Sequence, residues 1–252
     1  MGDQFAGKVV IVTGGSQGVG IGITRAFLDE GASVVTCARK SFETHPAVRT
    51  DEEAERCIHV AADIRDDAQI DGVVQTAMER FGRLDVLVNN AGGQPPADTA
   101  TVSPRFIRSI IELNLTAPMI FAQKAYQAMM QNGEGGSIIN ISSQASLPTG
   151  SGGTLAPYGA AKAGLNHMTR SLGRAWGRDV RVNCVSLGWV RTEAMVGLVI
   201  DGPDGHGDPS DDIPVGRMGT PDEIGGICVF LASDAGSYVN GATVWADGGG
   251  GF

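Results

Sequence analysis

The sequence has few cysteines, few aromatic residues and no excess of positive charge. Its four cysteines, Cys37, Cys57, Cys184 and Cys228, lie far apart, form no CxxC pair and have no histidine at metal-ligand spacing. A disulfide framework and the common zinc motifs are thereby excluded. The cysteines read as reduced, mostly buried thiols of a cytoplasmic protein, with Cys184 a core residue rather than a redox centre. His45, His59, His167 and His206 are scattered along the chain and read as surface or loop residues without a cluster, so no metal site is expected. Lys plus Arg number 19 against 28 Asp plus Glu, a formal charge of −9, and the acidic residues are spread rather than gathered into a tail. Neither nucleic acid nor an anionic membrane is an expected partner. No apolar run approaches the roughly 18 residues of a membrane helix. The first residues carry no basic segment leading into a long apolar one, so a secretory leader is not expected either.

Glycine is what the chain has in abundance. At 37 of 252 residues it is about twice the ordinary share of roughly 7%, with no collagen period and no low-complexity tract. These glycines belong at specific tight places. The length allows one large domain or two small ones, and 42% hydrophobic residues suffice for a full core.

Short β-branched apolar runs alternate with longer segments of helical spacing. Val9 to Thr13, Ser33 to Cys37, Leu84 to Asn89, Ser137 to Ser142, Val180 to Val185 and Ala242 to Trp245 read as strands buried on both faces, with Ile58 to Ala61 a weaker candidate. Gly20 to Gly31, Asp66 to Phe81, Pro104 to Asn132, Pro157 to Trp176 and Pro221 to Ser233 read as helices, several opened by Pro or Asp and closed by Gly or Asn. This alternation predicts one α/β domain over residues 1–252: a doubly wound parallel sheet with helices on both faces. The one long irregular stretch, Glu193 to Ile213, is expected to be a substrate lid.

The first strand runs into Thr13-Gly14-Gly15-Ser16-Gln17-Gly18-Val19-Gly20 and then a helix. Glycines there let backbone N–H groups and a helix N-terminus approach a pyrophosphate. The spacing is Gly-x-x-x-Gly-x-Gly rather than GxGxxG. Asn89-Asn90-Ala91-Gly92 ends another strand, where ligands of open α/β sheets bind. Tyr158-Gly159-Ala160-Ala161-Lys162 puts a tyrosine and a lysine on one helix face. A free tyrosine has a pKa of about 10, and a nearby ammonium favours the phenolate, so Tyr158 would be poised for proton transfer. Ser143, ending a strand, supplies a hydroxyl for a substrate carbonyl.

With these motifs in this order, the sequence resembles the single-domain form of the short-chain dehydrogenase/reductase family, and within it the 3-oxoacyl reductases. The resemblance spans nearly the whole chain, including LNLTAP around Asn114 and the segment from PVGRMGTPDEIGG to NGATVWADGG. It implies a Rossmann-type three-layer sandwich on a seven-stranded sheet and hydride transfer between a nicotinamide cofactor and a carbonyl/alcohol pair. Under it Tyr158 is the acid/base, Lys162 lowers its pKa and holds the nicotinamide ribose, Ser143 polarises the substrate oxygen with Ser142 as the alternative, and Asn114 supports a proton-relay water. Gly14, Gly18 and Gly20, with Ser16, Gln17 and Val19, would carry the pyrophosphate turn. Asp63 with Ile64 would meet the adenine, Asn90, Ala91 and Gly92 the adenosine side, and Gly188, Val190 and Thr192 the nicotinamide and phosphate. The resemblance also implies a homotetramer paired through the two long helices. The chain departs from the family pattern at Leu187-Gly188, where Pro-Gly is usual, and in a glycine-rich, lengthened segment between Ser143 and Tyr158.

Cofactor choice is set after the second strand, where an acidic residue suits a free 2′-hydroxyl and a basic one a 2′-phosphate. Here Arg39 and Lys40 follow and no carboxylate does, which favours NADP and leaves NAD open; Gln17 lacks the positive charge of many NADP-binding members. Gln94 to Pro96, Leu147 to Leu155, Trp189 and Met195 to Ile200 are the expected pocket wall. They suit a small-molecule substrate that is a largely apolar ketone or a 3-oxoacyl-type compound, with steroids and sugars also open. Five aspartates in the second half of the lid disfavour an acidic carrier protein. The alternatives are an NAD-linked secondary alcohol or hydroxysteroid dehydrogenase, and a non-catalytic nicotinamide-nucleotide sensor.

Overall fold

The computed structural model describes residues 2–147, 152–197 and 207–250. Seven parallel strands form one sheet: β1 (Val9–Thr13), β2 (Ser33–Ala38), β3 (Cys57–Ala61), β4 (Val86–Asn89), β5 (Gly136–Ser143), β6 (Val180–Leu187) and β7 (Thr243–Ala246). Their order is β3-β2-β1-β4-β5-β6-β7. The chain winds outward from β1 to β3, returns to the centre at β4, and winds out the other way. The reversal between β1 and β4 opens a crevice at the carboxyl ends of those strands, where open α/β sheets bind ligands.

The central strands are apolar on both faces because both are covered. Val9 and Ile11 point to a layer containing Ile70, Phe121 and Met129; Val10 and Val12 point to the opposite layer with Ile23, Phe27 and Ile224, as the two-residue period of a strand requires. Helices α3 (Asp67–Phe81), α5 (Ala117–Asn132) and α6 (Ala156–Trp176) supply the first layer. The second comes from α1 (Val19–Asp29) and α8 (Pro221–Ala232), with the short α7 (Glu193–Met195) preceding α8 in the chain. Burying one side chain such as Phe27 or Phe121 is worth roughly 1.5–3 kcal/mol. The edge strands differ from expectation: β3 and β7 are only half-buried, since each has a strand on one side only.

Three further differences stand out. A six-residue helix, α2 (Asp51–Arg56), begins at Thr50, whose side chain accepts from Glu53 N–H, in a stretch without apolar periodicity. The predicted helix Pro104 to Asn132 is α4 (Pro104–Ile111) joined to α5 by a π-helical turn at Glu112–Thr116. The expected lid has α7 at its start and a 3₁₀ turn at Pro209–Asp212 near its end; its residues 198–206, like wall residues 148–151, lie outside the described residues.

Candidate active site

The glycine turn is built at the limit of close approach. Gly14 has φ +65° and Gly18 φ +53°, and a Cβ on Gly20 would collide with the Gly14 carbonyl. Asn90 Nδ2 donates to the carbonyls of Thr13 (2.9 Å) and Gly14 (3.2 Å), and the N–H groups of Asn90 and Ala91 both donate to Thr13 Oγ1 at 2.9 Å. The Asn90–Gly92 segment and the first turn are therefore one unit at the switch point. Thr192 joins them, its methyl 3.5 Å from where a Cβ on Gly18 would stand. Helix α1 starts at this turn with no side-chain cap and no acidic residue in its first turn. Its positive dipole end suits an anion. The glycine cradle and this uncapped end fit the pyrophosphate of a dinucleotide.

At the ends of β4 and β5 the proposed acid/base groups come together. The Ser143 side chain favours the Tyr158 phenolate, whereas Ser142 is buried and donates to the Lys162 carbonyl at 3.3 Å. Lys162 is 3% exposed; its Nζ donates to Ile141 O at 2.7 Å and stands 5.5 Å over the Tyr158 ring. Asn114, fully buried in the π turn, accepts from Gly93 N–H (2.9 Å) and donates to Ile110 O (2.9 Å) and Gly93 O (3.0 Å). A Cβ on Gly92 would lie 2.6 Å from Asn114 Oδ1 and 3.2 Å from Lys162 Nζ, so Asn114 and Lys162 flank Gly92.

Burial pushes the Tyr158 phenol up, and the Ser143 side chain opposes it. Lys162 sits over the ring face, tied to a backbone carbonyl, and its own burial drops it from 10.5 to about 8. Cys184, on β6, is pushed up to about 12 by burial. It is thus a neutral core thiol, as expected, and donates to Asn166 Oδ1 at 3.3 Å.

The remaining predicted residues are placed as follows. Arg39 and Lys40 are exposed at the end of β2, and among the described residues neither side chain is ion-paired. Asp63 is engaged: its carboxylate meets Arg65 at two points, 2.9 and 2.5 Å, and the Arg65 contact lowers its pKa, with Arg39 adding a smaller pull. Ile64 is buried in the core, leaving only its backbone for a ligand. Ser16 is buried and Gln17 exposed. Gly188 packs on Asp247, where a Cβ would come within 2.7 Å of its Cα, and Val190 bridges to Gly219.

Two features escaped the sequence reading. His45 and His59 are not scattered: their rings stand 5.7 Å apart beside Phe42, because β2 and β3 pair in register and the chain after β2 folds back over them. His45 is 6% exposed rather than on the surface, and burial, with His59 next, lowers it to about 4. The described residues hold no group of three metal-ligating side chains. Gln94 donates to Thr154 O at 2.8 Å while its Oε1 is buried without a partner among the described residues.

The family model for Enoyl-(Acyl carrier protein) reductase matches residues 14–250. The chain is 34% identical to an L-fucose dehydrogenase of Oryctolagus cuniculus, over 98% of this chain and 86% of that one. It is also 34% identical to a 3alpha-hydroxysteroid dehydrogenase of Mediterraneibacter gnavus, over 96% of each. A short-chain type dehydrogenase/reductase from Mycobacterium marinum superposes with TM-score 0.87 at 30% identity, covering 98% of this chain and 96% of that one. A doubly wound sheet with a glycine turn at its switch point defines a Rossmann-like fold. The chain belongs to the short-chain dehydrogenase/reductase family, whose members are NAD(P)-dependent oxidoreductases acting on small molecules. None of its described helices is long and apolar enough to cross a membrane.

Proposed function

We propose that the protein interconverts a carbonyl and an alcohol with NADP(H), and that Tyr158 is the acid/base. The observation that carries this reading is the buried Lys162 ammonium, 5.5 Å over the Tyr158 ring with Ser143 acting on the same phenol, at the strand ends that also bear the glycine turn. A substrate oxygen held by both hydroxyls receives a hydrogen bond from Ser143 and exchanges a proton with Tyr158. Lys162 uses one N–H on Ile141 and keeps two for the ribose hydroxyls of the cofactor. Asn114, its side chain committed to Gly93 and Ile110, keeps the π turn in shape for a relay water. The bound nicotinamide supplies or accepts the hydride.

In the same reading the turn from Gly14 through Ser16, Gln17, Gly18 and Val19 to Gly20 holds the pyrophosphate, and Gly188, Val190 and Thr192 hold the nicotinamide end. Asn90, Ala91 and Gly92 line the adenosine side. Asp63 and the Ile64 backbone face the adenine, with Arg65 yielding or sharing the Asp63 carboxylate. Arg39 and Lys40, exposed and unpaired among the described residues, take the 2′-phosphate. The half-exposed Leu147, Leu155, Trp189 and Met195 favour a largely apolar ketone or 3-oxoacyl-type substrate. The exposed Ile107, Met119 and Met130 on α4 and α5 favour pairing into a homotetramer.

Parallel titrations with NADPH and NADH, followed by nicotinamide fluorescence, test the cofactor reading. Tighter NADPH binding is expected. Tighter NADH binding overturns the role of Arg39 and Lys40 and makes the protein an NAD-linked alcohol dehydrogenase.

A further inference from the structure

Thr36, on β2, serves two neighbours. A Cβ on Gly15 would lie 2.6 Å from Thr36 Cγ2, so the threonine methyl backs the glycine turn. Its Oγ1 is 2.8 Å from Nδ1 of His59, its register partner on β3. The other ring nitrogen, Nε2, is 2.7 Å from the carbonyl oxygen of Lys40. A carbonyl only accepts, so Nε2 carries the proton, and in the neutral ring Nδ1 then accepts from the Thr36 hydroxyl. The ring also stands edge-on to Phe42 at 5.1 Å. One side chain from the edge strand thus fastens the turn that carries Arg39 and Lys40 to the end of β2.

We propose that His59 is a positioning residue for recognition of a phosphate on the adenosine 2′ position: by holding the Lys40 carbonyl it fixes the backbone from which Arg39 and Lys40 reach the anion. The inference rests on the NADP reading above. Arg39 and Lys40 lie on an exposed turn, and a turn left loose must be ordered at the moment of binding, which weakens the complex. Ligands without the 2′-phosphate do not draw on those two side chains and escape that penalty. His59 therefore acts on discrimination rather than on nucleotide binding at large.

The test compares adenosine 2′,5′-bisphosphate with 5′-AMP by calorimetric titration of the full chain. His59→Phe keeps the packing against Phe42 and removes both hydrogen bonds; His59→Gln keeps a donor for Lys40 O. Wild type is expected to prefer the bisphosphate. His59→Phe is expected to weaken the bisphosphate about tenfold, the worth of one net hydrogen bond, with a much smaller change for 5′-AMP, and His59→Gln to recover most of the loss. An unchanged ratio in His59→Phe, or equal losses for both ligands, overturns the proposal while leaving the NADP reading in place. A wild type that does not discriminate overturns the NADP reading and this role with it. Should His59→Phe not fold, Thr36→Val, which keeps the packing and frees one side of the ring, is read in the same titration. A selective loss then supports the proposal and an unchanged ratio overturns it.

Discussion

Lys162 Nζ stands 5.5 Å over the ring of Tyr158 while donating to Ile141 O at 2.7 Å. An ammonium this deeply buried is costly, and its pKa falls from 10.5 to about 8. Between those values the unfolded chain binds the proton and the folded chain has released it, so stability rises with pH across that window as the burial penalty is relieved. Below pH 8 both states are charged and the penalty is complete. Lys162→Met removes this contribution. In denaturant titrations from pH 8 to 10.5, the difference in stability between wild type and variant is expected to shift in favour of wild type as pH rises. A difference that stays constant would contradict the buried, depressed lysine.

Helices α1 and α8 touch through glycine. A Cβ on Gly225 would stand 2.5 Å from Gly22 O and 2.7 Å from Ala26 Cβ, whereas one on the adjacent Gly226 meets nothing within 4 Å. Gly225→Ala must push the helices apart and is expected to cost about 1–3 kcal/mol, as overpacking does. Gly226→Ala, adding a better helix former in open space, is expected to be neutral or stabilising by up to about 1 kcal/mol. Thermal melts of the two variants should move in opposite directions or diverge clearly; equal shifts would contradict the close helix contact.

Much of the fold was legible because the central strands are covered on both sides and so read as unbroken β-branched runs; Val9–Thr13 matches its predicted bounds. The edge strands were legible too, Ile58–Ala61 against the observed Cys57–Ala61 and Ala242–Trp245 against Thr243–Ala246, although half-buried β3 carries a weaker pattern. Helix α2 has charge rather than periodicity, and the signal that would have found it is Thr50 with Glu53 three residues on, a capping pattern. Apolar period cannot reveal the π turn at Asn114, since inserting one residue leaves the pattern on either side intact. The order of motifs marked Tyr158, Lys162 and the glycine turn. The pairing of Asp63 with Arg65 and of His59 with the Lys40 carbonyl depends on side-chain geometry that no spacing rule carries.

Arg39 supplies the next prediction. Replacing it by aspartate removes a phosphate partner and adds repulsion, close to the carboxylate of Asp63. Arg39→Asp is expected to weaken NADPH far more than NADH in paired fluorescence titrations. Equal losses would make Arg39 an ordinary loop residue.

The account centres on proton exchange at Tyr158, and the most direct measurement is turnover of Tyr158→Phe. Wild type and variant would be assayed with NADPH against a steroid ketone and an acetoacetyl thioester, and in the oxidative direction with NADP⁺ and L-fucose. With whichever compound wild type turns over, the variant is expected to bind cofactor and lose turnover by about 10²- to 10⁴-fold, the usual worth of general acid/base catalysis. Turnover equal to wild type would contradict the assignment of Tyr158 and, with it, the mechanism proposed for this site.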